Sequence, residues 1–173
     1  MERAPLTAQG LLDYVKHCKN TPHIYLWDAN GEYVTDELLD RLSSQYPDWY
    51  TPERLSIRRA VANKNMRGWD CIGVIKSYVW GDYSQFNSSG YCKESDFCTR
   101  TLIEQPLVKG LIATLPEKPG LVVWRKGHVG VYIGAGQVFE CTCGPANLLG
   151  GIKQTPLHEK PFEYWLEYPG IQY

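Results

Sequence analysis

Asp70-Cys71-Ile72-Gly73 and, further along, Gly127-His128-Val129-Gly130-Val131-Tyr132-Ile133-Gly134 decide how this chain is read. The first stretch sets a cysteine at the head of an apolar helical pattern, in which Ile72, Ile75 and Val79, together with Val74 and Tyr78, form a wide apolar surface. The second alternates with period two, so His128 stands at the head of a strand. A thiol and an imidazole on two rigid elements are what a cysteine hydrolase needs. The thiolate attacks, and the imidazole activates it and later protonates the leaving group. At a helix start, unpaired N–H groups and the macrodipole favour an anion, and together with a nearby imidazolium they can lower a thiol pKa from about 8.5 into the range ~3.5–7.5.

On the strand, His128 shares a face with Gly130 and Tyr132, while Val129, Val131 and Ile133 face a core. Gly130 leaves room beside the imidazole. Glu140 is the candidate orienter of that ring, on one geometric condition. A two-residue turn at Ala135-Gly136 would put Glu140 on the opposite face. A three-residue loop, Gly134-Ala135-Gly136, with Gly136 supplying a left-handed bulge, sets Gly130 opposite Glu140 and leaves His128 its diagonal neighbour.

Working outward, Thr7 reads as the N-cap of a helix bearing Leu11, Tyr14, Val15 and Cys18 on one face. A strand-like piece over 24–27 ends in the turn Asp28-Ala29-Asn30-Gly31. Thr35 opens a second helix with Leu38, Leu39, Leu42 and Tyr46, and Thr51-Pro52-Glu53 opens a third expected to reach about Asn63. Gly68 breaks the pattern before the cysteine helix, and residues 81–100 read as a polar surface loop or lid. From Gly120 onward strands follow one another, and the aromatic tail with Phe162, Tyr164, Trp165 and Tyr168 returns as a closing strand. Helices first and an antiparallel sheet second make an α+β domain spanning 1–173.

Composition narrows the class. A net charge of −1 and a pI near 6.4 offer no attraction to nucleic acid or to an anionic membrane surface, and no stretch reaches the length of a membrane span. Met1-Glu2-Arg3-Ala4-Pro5 lacks the basic and then apolar run of a signal peptide. Six cysteines are too few for a disulfide scaffold at 173 residues. Cys92 with Cys98 and Cys141 with Cys143 lack the usual zinc-finger spacing, so free thiols and no metal are expected.

At these residues the chain resembles the NlpC-type cysteine peptidases of the bacterial cell wall, a branch of the papain-like superfamily. The family pattern Asp-Cys-Ser-Gly, Pro-Gly-Asp-Leu-Val, His-Val-Gly-Ile-Tyr-Ile-Gly and a third polar residue reads here as 70–73, 119–123, 128–134 and Glu140. The likeness is nearest to single-domain versions from gut Firmicutes and their phages. It implies a papain-like α+β fold with N-terminal helices on a central antiparallel sheet and the nucleophile at a helix N-terminus. It further implies Cys71 as nucleophile, His128 as base and acid, and Glu140 as orienter. Tyr25, in Tyr25-Leu26-Trp27-Asp28, corresponds to a tyrosine credited with the oxyanion site, in preference to His23, and Asp70 to a residue binding the substrate's amine. The implied reaction is hydrolysis of an amide in peptidoglycan stem peptides, between γ-D-glutamate and a diamino acid, by a monomer without a cofactor. The protein is then made in the cytoplasm and reaches the wall by release or another export system. Two departures stand in the motifs: Ile72 replaces the family serine, and Asp28 a glycine. Rival readings keep the thiol chemistry on a protein or lipid (amidase, transpeptidase, acyltransferase), or make the chain a silent module of a phage particle.

Overall fold

The computed structural model describes residues 5–81, 91–105 and 108–173. The first helix, α1 (Ala8–Lys19), is capped by the Thr7 side chain, which accepts from the Gly10 N–H, and buries Leu11, Val15 and Cys18. Full burial of each aliphatic side chain is worth roughly 1.5–3 kcal/mol. Next come β1 (His23–Tyr25), β2 (Asn30–Tyr33), α2 (Asp36–Gln45), α3 (Pro52–Arg59) and β3 (Arg67–Trp69). Thr35 and Thr51 cap α2 and α3 as their sequence spacing predicts. Helix α3 stops at Arg59, short of the expected Asn63, because Asn63 and Asn65 take left-handed backbone (φ 60° and 55°) and turn the chain back. Where Gly68 was expected only to interrupt, β3 runs between β1 and β2, parallel to β1 and antiparallel to β2. A Cβ there would crowd the buried Leu26 side chain.

The cysteine helix, α4, spans Gly73–Trp80. Its backbone tolerates only glycine at its first residue, because a Cβ on Gly73 would overlap the Ala29 carbonyl oxygen. Tyr14 and Trp69 both donate to the Ser77 hydroxyl (2.9 and 3.1 Å), which ties α1, α4 and β3 through one buried polar group. Of the stretch 81–100 expected as a polar loop, 82–90 lies outside the described residues, Lys93–Ser95 form one 3-10 turn, and α5 (Thr99–Glu104) opens at its end.

A six-stranded antiparallel sheet completes the architecture. Its strands are β4 (Lys109–Leu111), β5 (Val122–Arg125), β6 (His128–Gly134), β7 (Gln137–Gly144), β8 (Asn147–Pro156) and β9 (Tyr164–Leu166), in the spatial order β4-β9-β5-β6-β7-β8. The tail does return as a strand, inserted between β4 and β5. One sheet face, with Val122, Val129, Val131, Cys141 and Ile152, packs on α1 and α4 residues such as Leu11, Val15 and Ile75. The other carries a smaller core of Leu121, Val123, Tyr132, Val138 and Phe162. The fold is thus mixed α+β. No helix among the described residues is long and apolar enough to cross a membrane.

Arg58 braces the two halves. It is 0% exposed, and its guanidinium donates to the carbonyls of Tyr25 (3.3 Å), Arg54 (3.0 Å) and Leu148 (3.0 Å), joining β1, α3 and β8. Gly73→Ala is expected to lower the unfolding free energy by about 2 kcal/mol or more, since backbone must move to admit one methyl group. Urea denaturation measures this; unchanged stability would contradict the close approach of α4 to the Ala29 carbonyl.

Candidate active site

Cys71 lies two residues ahead of α4, in the turn between β3 and the helix, and not in the helix as its sequence pattern suggests. Asp70 shapes that turn. Its Oδ1 accepts from the backbone N–H of Ile72 (3.0 Å) and of Gly73 (2.5 Å), and its Oδ2 from that of Asp28 (3.0 Å). The residue expected to hold a substrate amine therefore spends both oxygens on backbone. Burial pushes its carboxyl up to about 6, against the nearby Lys76 charge and these N–H groups.

The thiol is 6% exposed. Burial, and then the neighbouring Asp70 charge, push it up to about 12, while the backbone N–H groups of Val129, Ile72 and Cys71 itself pull the other way. The expected lowering thus fails for a physical reason: the helix start supplies donors, yet desolvation beside a carboxylate outweighs them. Cys71 shares a buried cluster with Val129, the residue after His128, whereas His128 and Glu140 lie on the opposite sheet face beside Phe162, and Gly127 rather than either of them lines the Cys71 cleft.

His128 Nε2 donates to Glu140 Oε2 at 2.6 Å. Glu140 is 1% exposed, and its second oxygen accepts from the Thr155 hydroxyl at 3.0 Å, with Lys153 Nζ 3.8 Å away. Burial raises its carboxyl, but the hydrogen bond and charge of His128, with Lys160 and Thr155, outweigh this and hold it below the ordinary value. Phe162 lies nearly parallel to the imidazole (centroids 6.1 Å, 21°) and backs its plane. The donated Nε2 proton leaves Nδ1 as the basic nitrogen, and Nδ1 has no hydrogen bond among the described residues.

The register that makes this pairing arises by a different route from the one expected. Val131 faces Phe139 and Tyr132 faces Val138, but Gly134 faces Gln137, so a bulge at Ile133 precedes a two-residue turn. Ala135 (φ 51°) and Gly136 (φ 68°) both take left-handed backbone, and Glu117 holds the tip by accepting from the Tyr132 hydroxyl (2.6 Å) and the Ala135 N–H (2.7 Å). The bulge adds the residue that the three-residue loop would have added, and Glu140 stays on the His128 face.

Cys71 opens onto a cleft of about 350 Å³, with Tyr25, Trp27 and Asp28 on one side and Asp96 to Thr99 on the other. Tyr25 is 7% exposed, and its hydroxyl has no hydrogen-bond partner among the described residues. Burial, then the charges of Asp70 and Cys71, raise its pKa, so it stays a neutral donor. Asp28 holds φ at 65°, the left-handed conformation for which a glycine would be the easier choice. His23 is committed to structure: its Nδ1 donates to the Thr21 carbonyl (2.7 Å), and its Nε2 accepts from the Ile152 N–H (2.8 Å).

Sequence reasoning missed Lys76 and Asp96. Lys76 Nζ pairs with Asp96 Oδ1 at 2.8 Å, and both side chains border the cleft. The available signal was a lysine inside an otherwise apolar helix; its partner sits in the stretch read as loop. All six cysteines are free thiols. Among the described residues no group of three His, Cys, Asp or Glu side chains could hold a metal ion. Compared with protein-family models and with characterised proteins, the chain matches none.

Two outcomes follow. Iodoacetamide alkylation of Cys71 is expected to rise about tenfold per pH unit from neutral toward alkaline pH, as it must for a thiol held protonated; a rate plateau across neutral pH would reveal a preformed thiolate. The depressed Glu140 carboxyl stabilises the fold fully above its ordinary value of 4.5, and this contribution is lost as the pH falls through the lower native value. Glu140→Gln should therefore flatten the loss of melting temperature on acidification below pH 4.5; an unchanged slope would place that loss elsewhere.

Proposed function

We propose that this chain is a papain-like, NlpC-type cysteine peptidase that hydrolyses an amide bond in bacterial peptidoglycan stem peptides, between γ-D-glutamate and the following diamino acid. The observation that carries the reading is the His128–Glu140 pair at the head of β6, the strand whose Val129 packs in the cluster of Cys71. Cys71 packs in one buried cluster with Val129, the residue after His128, and that imidazole is fixed by a buried carboxylate at 2.6 Å. The resemblance in sequence supplies the substrate class.

Because burial keeps the thiol protonated, the nucleophile forms as the substrate arrives. Nδ1 of His128 takes the Cys71 proton, and the sulfur bonds to the carbonyl carbon. Glu140 stabilises the imidazolium without itself accepting the proton. The tetrahedral oxyanion draws on the Cys71 N–H and the Tyr25 hydroxyl, which is a donor without a competing partner. Collapse breaks the C–N bond as His128 returns the proton to the leaving amine. Water, deprotonated by the same imidazole, then cleaves the thioester and regenerates the thiol.

Ile72 shapes the substrate side. It is 4% exposed, borders the cleft, and offers hydrocarbon where the family offers a hydroxyl. Its backbone N–H is already held by Asp70. Substrate contacts at this position are therefore apolar.

Digestion of purified muropeptides, with the cut mapped by mass, tests the proposal. Wild-type protein should release fragments ending in γ-D-glutamate. Cys71→Ala should abolish release, and His128→Ala should slow it by about 10²–10⁴-fold. Equal digestion by Cys71→Ala, or intact muropeptides with wild-type protein, would refute it.

A further inference from the structure

Trp27 stands 40% exposed on the rim of the Cys71 cleft, yet it is held as firmly as a core residue. Its carbonyl accepts from the Tyr50 hydroxyl at 2.8 Å, and the next N–H, of Asp28, is held by Asp70 at 3.0 Å. Its indole stacks on Trp49 (6.3 Å, 27°), which is wedged between Tyr25 (5.7 Å) and Tyr50 (4.6 Å). A rigid aromatic surface presented to solvent beside a nucleophile loses little entropy when a ligand covers it.

The surroundings narrow the ligand's chemistry. Asp70's oxygens are taken by backbone N–H groups, and Asp96 is paired with Lys76. Two guanidinium groups, of Arg54 and Arg58, lie over the Trp49 ring at 5.0 and 4.7 Å, on the stack that carries Trp27. What remains is a flat apolar surface bordered by the Asp28 carboxylate and the Tyr46 hydroxyl, both in the same cleft. A neutral ring with C–H bonds on one face and hydroxyls at its edge fits that description. It stacks on the indole and donates to the carboxylate.

We infer that Trp27, with Asp28 beside it, is a stacking subsite for a sugar ring of the glycan to which stem peptides are attached. This rests on the peptidase reading for the identity of the glycan, and it extends that reading: the substrate is taken glycan-linked, and the sugar is part of what is recognised. Trp27 is a binding residue here and touches no reacting atom.

The test uses full-length Cys71→Ala protein and follows indole N–H resonances, the Trp27 signal being the one absent from Trp27→Phe. The probes are a peptide-free disaccharide of N-acetylglucosamine and N-acetylmuramic acid and, separately, a sugar-free stem peptide. The disaccharide should shift the Trp27 signal. Trp27→Ala should weaken disaccharide binding at least tenfold, and Trp27→Phe, which keeps a ring, by less. A Trp27 signal unmoved by disaccharide overturns the inference, as does one moved by the stem peptide alone. Cleavage of muropeptides by wild-type protein is scored apart. Disaccharide binding without any cleavage keeps the subsite and removes the peptidase reading, whereas cleavage without disaccharide binding does the reverse.

Discussion

The carboxylate of Asp70 is the constraint on which the rest of the site depends. With one oxygen on the N–H groups of Ile72 and Gly73 and the other on that of Asp28, it joins the turn bearing Cys71 to the loop bearing Tyr25, Trp27 and Asp28. Each hydrogen bond to an ionised group is worth about 1.5–3 kcal/mol. The larger consequence is geometric: α4 can begin at Gly73 only while these donors are satisfied, because that helix start has no other side-chain cap. The same charge beside the sulfur helps keep the thiol neutral, so the residue that positions Cys71 also disfavours its thiolate.

The second constraint comes from the sheet. His128 and Glu140 are brought onto one face by a single extra residue at Ile133, and Glu117 fixes the turn that follows. A register slip of one residue would send Glu140 to the helix-packed face and leave His128 without its partner. Phe162, Thr155 and Lys153 then surround the pair from β8 and the tail. The geometry of the candidate site is thus distributed over elements far apart in sequence, and each is held by core packing.

Much of this was legible beforehand, and the reasons are local. Thr7, Thr35 and Thr51 announce their helices because a side-chain oxygen capping an N–H is a short-range interaction. Period-two alternation from His128 to Ile133 announces β6, and it also fixes which face the imidazole takes. What stayed hidden is tertiary. Strand β3 has three residues with a central glycine, too short for any periodicity. The wall formed by Asp96 to Thr99 depends on Lys76, twenty positions before Asp96 in the chain, through a contact that no sequence pattern encodes. The thiol's raised pKa likewise follows from desolvation, which local rules about helix starts do not see.

Cys71, nearly buried, is the proposed nucleophile, while Cys92 and Cys98 are the exposed thiols. A stem-peptide nitrile, its electrophilic carbon replacing the scissile carbonyl, separates these directly by intact mass and peptide mapping. One equivalent of adduct is expected, carried by Cys71 and lost in His128→Ala. Adduct at Cys92 or Cys98, or none at all, would contradict it.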